Sequence, residues 1–160
     1  MIACQDGFSG HISIMTKQTL SAISLSPAEA GLACLTLAAH VHGPAKPADL
    51  AHIDEMIAAT PSLRAIPPAK QAATRDLTSA IIGANEGLDS MLTLIAAATN
   101  ATQQETLYAL AVEFIVRRAR ISPEEMRLLE LLADEFSLDP LLRAAIDQAM
   151  RARFAPLGIR

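Results

Sequence analysis

The sequence predicts an all-α protein: about seven helices in one compact bundle, built around a duplicated helix–loop–helix unit with two buried central helices. The first observation is composition, since 51% of the residues are apolar but only 3% are aromatic and there is no Trp. Ala and Leu dominate and both favour helix, whereas a sheet takes more Val, Ile and aromatic residues. The second observation is that helix-start signals recur at a spacing of 76 residues.

The start signals form two pairs. Ser26-Pro27-Ala28-Glu29 has a capping Ser, Pro at the first helical position and Glu three residues after the cap, and Thr102-Gln103-Gln104-Glu105 repeats the hydroxyl-to-Glu spacing. Ser122-Pro123-Glu124-Glu125 is a further capping box, and Lys46-Pro47-Ala48-Asp49 matches its Pro and its acid without the hydroxyl. Apolar positions also match at this spacing, so the unit is an internal duplication.

The elements follow in chain order. The first helix of each unit, 27–41 and 103–117, is apolar nearly all round, which is typical of a buried helix. The second helices, 47–59 and 123–136, are amphipathic. Two connecting helices with a break near Gly83–Gly87 join the units, and Asp139-Pro140 begins a last helix.

The domain prediction is a single helical domain over residues 25–156, after a polar lead-in at 1–24 that is partly disordered. No apolar run reaches the roughly 18–20 residues that cross a bilayer, and the first residues lack the pattern of a signal peptide. Cys4 and Cys34 cannot form a disulfide framework, which fits a reducing compartment. We therefore expect a cytoplasmic protein without a membrane span.

Three stretches make the chain resemble the tellurite-resistance TerB-like family of small all-helical bacterial proteins. They are LSPAEAGLACLTLAAHVHG with ADLAHIDEMI near the start, GLDSMLTLIAAA in the middle, and ETLYALAVEFIVRRARISPEEMRLLELLADEFSLDPLLRAAIDQAMRARF at the end. The resemblance runs from Leu25 to Phe154, and the last stretch is the most specific. It implies a link to tellurite or related stress resistance, exerted by binding other proteins.

The inter-helix loops depart from the family pattern. The family's loop carries an Ala-Asp-Gly motif in each repeat, followed by an acidic pair. In this sequence the two Asp positions are His42 and Arg118, and the Gly positions are Gly43 and Ala119. The resemblance therefore implies the fold, but it does not carry a metal-binding role over to these loops.

The first loop nevertheless contains possible metal ligands. His42, Asp49 and His52 are of ligand type, and Asp49 and His52 lie three residues apart on one helix face. The spacing matches no fixed ligand motif, and a His at a helix C-terminus is also explained by the helix dipole. A divalent metal ion is thus an open hypothesis, and no cofactor is firmly implied.

The second loop is rich in charge. Arg117, Arg118 and Arg120, with Glu124 and Glu125, could contact a protein partner or an anion. A simpler interpretation is that cations at a helix C-terminus are favoured by the dipole.

The remaining patterns argue against several functions. There is no Glu-x-x-His pair for a di-iron bundle, no His-Glu-x-x-His, no phosphate-binding Gly loop and no Gly-x-Ser-x-Gly. A pI near 5.5 disfavours nucleic acid as a partner. The prediction is a non-enzymatic module whose partners are other proteins or a second copy of itself, with metal binding or sensing as the alternative.

Overall fold

A computed structural model describes residues 23–118 and 120–158. In these residues the chain forms eight α-helices and no strand, which confirms the all-α class. The helices are α1 Pro27–Ala39, α2 Pro47–Ala59, α3 Pro61–Arg64, α4 Pro68–Ile82, α5 Gly87–Ala97, α6 Ala101–Val116, α7 Pro123–Glu135 and α8 Pro140–Phe154. The element beyond the expected seven is α3, a single turn after α2 that begins at Pro61. The predicted lead-in at 1–24 lies almost wholly outside the described residues.

Helix α1 is the centre of the bundle. Its last ten residues, from Ala30 to Ala39, are all buried, so no side of the helix faces solvent. It packs against α2, α3, α4, α5 and α6. Helix α6 is the second inner helix, and it lies between α1 on one side and α7 and α8 on the other. The prediction of two buried central helices is confirmed.

Capping fixes where the helices begin. Ser26 and Glu29 form the predicted capping box at α1, with Glu29 Oε2 accepting from the Ser26 N–H at 2.8 Å. Ser122 and Glu125 do the same at α7, again at 2.8 Å. At α2, Asp49 accepts from the Lys46 N–H at 3.1 Å, but the Lys46 side chain has no acceptor for the Asp49 N–H.

The predicted box at Thr102–Glu105 is wrong. Helix α6 begins earlier, because Asn100 and Gln103 form a capping box in which each side chain accepts from the other residue's N–H at 3.0 Å. Asn is as good a cap as Ser or Thr, so the polar run before α6 offered more than one starting point. The two first helices therefore differ in length, with 13 residues in α1 and 16 in α6.

Close packing shapes the turn between α4 and α5. A Cβ on Gly87 would lie 2.0 Å from the Ile81 carbonyl oxygen, and Glu86 just before it adopts a left-handed φ of 56°. Only glycine lets the start of α5 approach α4 this closely. The turn holds α5 next to α7.

None of the helices in the described part of the chain combines the length and the apolar character that a membrane span requires.

Candidate functional site

The two inter-helix loops lie side by side, joined by Arg118. Its Nη1 lies 2.9 Å from Glu125 Oε1, and its Nη2 lies 2.5 Å from Asp49 Oδ1. Asp49 is 69 residues away in the chain, so this contact links the two copies of the duplicated unit. We call Arg118, Asp49 and Glu125 the inter-repeat clasp.

The residues in and beside the clasp occupy equivalent positions in the two copies of the duplicated unit. Asp49 and Glu125 are equivalent positions, 76 residues apart, and so are His42 and Arg118. Each loop residue reaches toward the other copy: Arg118 pairs with Asp49, while His42 Nε2 lies 3.6 Å from Glu125 Oε1 and 3.3 Å from Ser122 Oγ. The duplicated capping acids thus face one shared cation.

The Glu125 carboxylate of the clasp is buried, so it needs compensating polar contacts. The Glu125 side chain is only 1% exposed, whereas Asp49 is 18% and Arg118 24% exposed. A carboxylate out of water needs a partner and hydrogen bonds for its oxygens. Glu125 has both, since Oε1 accepts from Arg118 and Oε2 from the Ser122 N–H.

The Arg118 side chain of the clasp packs against an aromatic ring. The Arg118 guanidinium carbon lies 5.2 Å from the centroid of the buried Phe114 ring. His52 stacks on the same ring at 4.7 Å, with 20° between the planes. Burial, followed by the charge of Arg117, lowers the pKa of His52, so its neutral form is favoured in this position.

The predicted metal ligands do not converge. His42 faces Glu125, Asp49 pairs with Arg118, and His52 packs against Phe114. Over residues 23–118 and 120–158, no group of three or more His, Cys, Asp or Glu side chains has the arrangement of a metal site. The metal prediction thus gains no geometric support from these three residues.

The predicted partner contacts divide into internal and outward-facing residues. Arg117 pairs with Glu55 at 3.4 Å and lies over the Phe154 ring, so it joins α6 to α2 and α8. Arg118 and Glu125 belong to the clasp. Arg120 and Glu124 are exposed. Glu124 has a lowered pKa because its carboxylate accepts its own backbone N–H and the Ser122 hydroxyl, so it stays charged at neutral pH.

A second feature lies next to the clasp, and the sequence did not predict it. A cavity of about 480 Å³ opens between α5 and α7, at the C-terminal ends of α1 and α4. We call it the α5/α7 cavity. Its apolar lining comprises Leu37, Val41, Ile82, Leu88, Leu128 and Leu131. Its volume falls within the range of roughly 300–1,000 Å³ of small-molecule pockets.

A sequence signal for the cavity did exist in α7. That helix carries Leu at 128, 129, 131 and 132, which is a wider apolar arc than one core-facing stripe needs. Leu128, Leu129 and Leu132 are buried and Leu131 is half-buried, and of these four Leu128 and Leu131 line the cavity. Which part of the arc stays open depends on where α5 packs.

The His40 ring in the cavity wall has a polar contact at each of its two nitrogens. His40 Nδ1 donates to the Thr36 carbonyl at 2.8 Å, and its Nε2 lies 3.2 Å from Ser79 Oγ. Ser and His at this distance are the residue types of an acyl-transfer pair. The Ser79 hydroxyl, however, donates to the Arg75 carbonyl one turn back at 2.9 Å, as helical serines commonly do. Packing of α1 against α4 accounts for this contact.

No protein-family model matches the chain, and comparison with curated proteins and with solved structures gives no match either.

Proposed function

We propose that this chain is a non-enzymatic helical module that binds other proteins, and that the α5/α7 cavity with the outer face of α7 is its binding surface. The observation that carries the proposal is the cavity itself. It is preformed, it is lined by aliphatic side chains, and it opens to solvent beside charged residues of α7. Concave apolar surfaces of this kind are preferred binding sites.

The scaffold supports the proposal. The wall residues lie on α1, α4, α5 and α7 and directly after α1, and the clasp fixes the start of α7 through Glu125. A rigid, preformed surface loses little conformational entropy when a partner binds. The TerB-like resemblance supports a role in tellurite or related stress resistance in the cytoplasm, through such a partner.

The test uses a neutral apolar dye, Nile red, as a probe of the cavity. Leu88 and Leu50 are both 36% exposed, Leu88 in the cavity wall and Leu50 on α2, so they form a matched pair. We expect saturable dye binding that Leu88→Arg weakens at least about tenfold, since a charge enters the apolar wall. Leu50→Arg should leave it unchanged. Equal loss in both variants, or no saturable binding, would refute the cavity as the binding surface.

Metal binding through His42, Asp49 and His52 is the alternative. In its favour, Asp49 belongs to the clasp and His42 lies beside it, and two carboxylates there contact the same guanidinium group. Against it, Arg118 already supplies the cation for both carboxylates. Metal content by mass spectrometry, with thermal melts in chelator, calcium and zinc, separates the two functions. A stoichiometric metal, with a melt that falls in chelator for the unsubstituted protein but does not respond to chelator in Asp49→Asn, would favour the alternative.

A further inference from the structure

The rim of the α5/α7 cavity is acidic. Helix α7 continues past the cavity on the same face, so that Glu124 lies at one end of its apolar stripe and Asp134 and Glu135 at the other, all exposed. At the start of α5, Glu86 and Asp89 are exposed and lie two residues before and one residue after the lining residue Leu88. Exposed carboxylates thus lie near the lining residues of both helices, and Glu124 is itself part of the lining.

Basic residues do not balance this rim. Helix α5 contains no Lys or Arg, and α7 contains one basic residue, Arg127. Arg127 lines the cavity, but its Nη1 lies 3.1 Å from Glu130 Oε2, so part of its charge is already neutralised within α7. Acidic residues therefore outnumber basic ones on the two helices beside the cavity, with Asp89 on α5 and Glu124, Glu125, Glu130, Asp134 and Glu135 on α7 against Arg127.

We infer that the partner of this surface is a basic amphipathic helix of another protein, with aliphatic side chains in the α5/α7 cavity and Lys or Arg against the rim. A helix in a groove places anchors at i, i+3 or i+4 and i+7, which suits an elongated apolar trough. Because most charged residues on the two helices are acidic, charge complementarity favours a positively charged partner. A second copy docked through the same face would oppose acid to acid, and nucleic acid would be repelled.

The inference rests on the proposed function, because it names the partner of the same cavity. Its test compares two synthetic helical peptides with leucines at i, i+4 and i+7, one with lysines at the flanking positions and one with glutamates there. We expect the lysine peptide to displace Nile red, and the glutamate peptide to bind at least about tenfold more weakly. Raising the ionic strength from about 0.05 M to about 0.5 M should reduce that difference, since rim charges are screened.

Variants locate the contacts. Leu88→Arg should abolish peptide binding while Leu50→Arg leaves it unchanged. Glu124→Gln should weaken the lysine peptide about two- to fivefold, and Glu105→Gln, which removes an acid from α6 instead, should not. Neither Glu124 nor Glu105 is buried in the core, so both variants should fold, and circular dichroism checks this.

The outcomes separate the two proposals. Dye binding that Leu88→Arg abolishes, with peptides of both signs binding equally or the glutamate peptide binding better, overturns the basic helix and leaves the cavity as a binding surface. Dye binding without displacement by either peptide also overturns it, in favour of a small apolar ligand. Self-association that Leu88→Arg abolishes would identify a second copy as the occupant. Absence of dye binding removes the proposed function, and the inference with it.

Discussion

The two loops of the duplicated unit occupy equivalent places and do different things. The second loop, at 117–122, supplies the clasp cation Arg118 and the capping hydroxyl of Ser122. The first loop, at 40–46, has His42 and Lys46 at the corresponding positions, and Lys46 provides no side-chain cap. The carboxylate of the second copy is buried, whereas that of the first is partly exposed. The two copies thus contribute differently to one contact, because the second loop supplies the cation while each copy supplies one acid.

The largest expected effect comes from removing that cation. Arg118→Met leaves Glu125 as a buried carboxylate without its ion-pair partner, which costs about 3 kcal/mol in the free energy of unfolding. Urea unfolding followed by circular dichroism measures it. Arg117→Met is the matched control, because Arg117 pairs with a Glu55 side chain that is 67% exposed. That pair should contribute no more than about 1 kcal/mol. Equal losses would mean that the clasp is an ordinary surface ion pair.

The two acids of the clasp should differ with their burial. Glu125→Gln should cost about 2 kcal/mol, because it weakens hydrogen bonds made by a charged group that water cannot reach. Asp49→Asn should cost about 1 kcal/mol, since solvent already screens that carboxylate. Both are read from the same unfolding curves. A larger loss for Asp49→Asn would reverse the comparison between the two copies.

The caps of α7 and α2 can be compared by removing the capping hydroxyl from one helix and adding a capping hydroxyl to the other. Ser122→Ala removes the hydroxyl that accepts from the Glu125 N–H at 3.2 Å and should cost about 1 kcal/mol. Lys46→Ser gives the first copy the cap that it lacks and should stabilise it by about 0.5–1 kcal/mol. Thermal melts at one protein concentration show both shifts. If Lys46→Ser has no effect, the Asp49 contact with the Lys46 N–H already satisfies the start of α2.

The smallest expected effect is a pH dependence of the stability that the cap of α1 contributes. It distinguishes this cap from the cap of α6. The Ser26 hydroxyl, then the Ser26 N–H, and less strongly Lys70, lower the pKa of Glu29 below its usual 4.5. Because the folded-state pKa is the lower one, this stabilisation is complete above about pH 4.5 and is lost as the pH falls through the folded value. Glu29→Gln should therefore cost under about 1 kcal/mol at pH 7, and nothing at a pH below the folded value.

The corresponding cap of α6 is neutral and serves as the control. Gln103→Ala removes the acceptor for the Asn100 N–H and should cost the same at both pH values, because Gln does not titrate. Denaturation curves at pH 7 and at the acid pH give the two differences. A pH-dependent cost for Gln103→Ala would mean that the acid sensitivity comes from elsewhere in the fold.

The sequence by itself determined what depends on neighbours within a turn or two of helix. The capping boxes at Ser26 and Ser122 form as predicted, since a cap and its acid lie three residues apart and act locally. The buried run of α1 follows from its all-round apolar pattern. The start of α6 was predicted wrongly because Asn100 and Thr102 are both acceptable caps, and only the packing of the whole helix selects one.

Features formed by residues far apart in the chain were decided only by the tertiary structure, because they depend on how the helices pack against one another. The sequence shows Arg118, His42, Asp49 and Glu125 as separate charges, and the packing of α2 and α6–α7 against the core brings the loops together into a clasp. The α5/α7 cavity has the same origin, because it is the space left where α5, held by Gly87 against α4, does not cover the wide apolar arc of α7. Local patterns fix the helices and their faces, but the distance between two faces is set by side-chain volumes across the whole bundle.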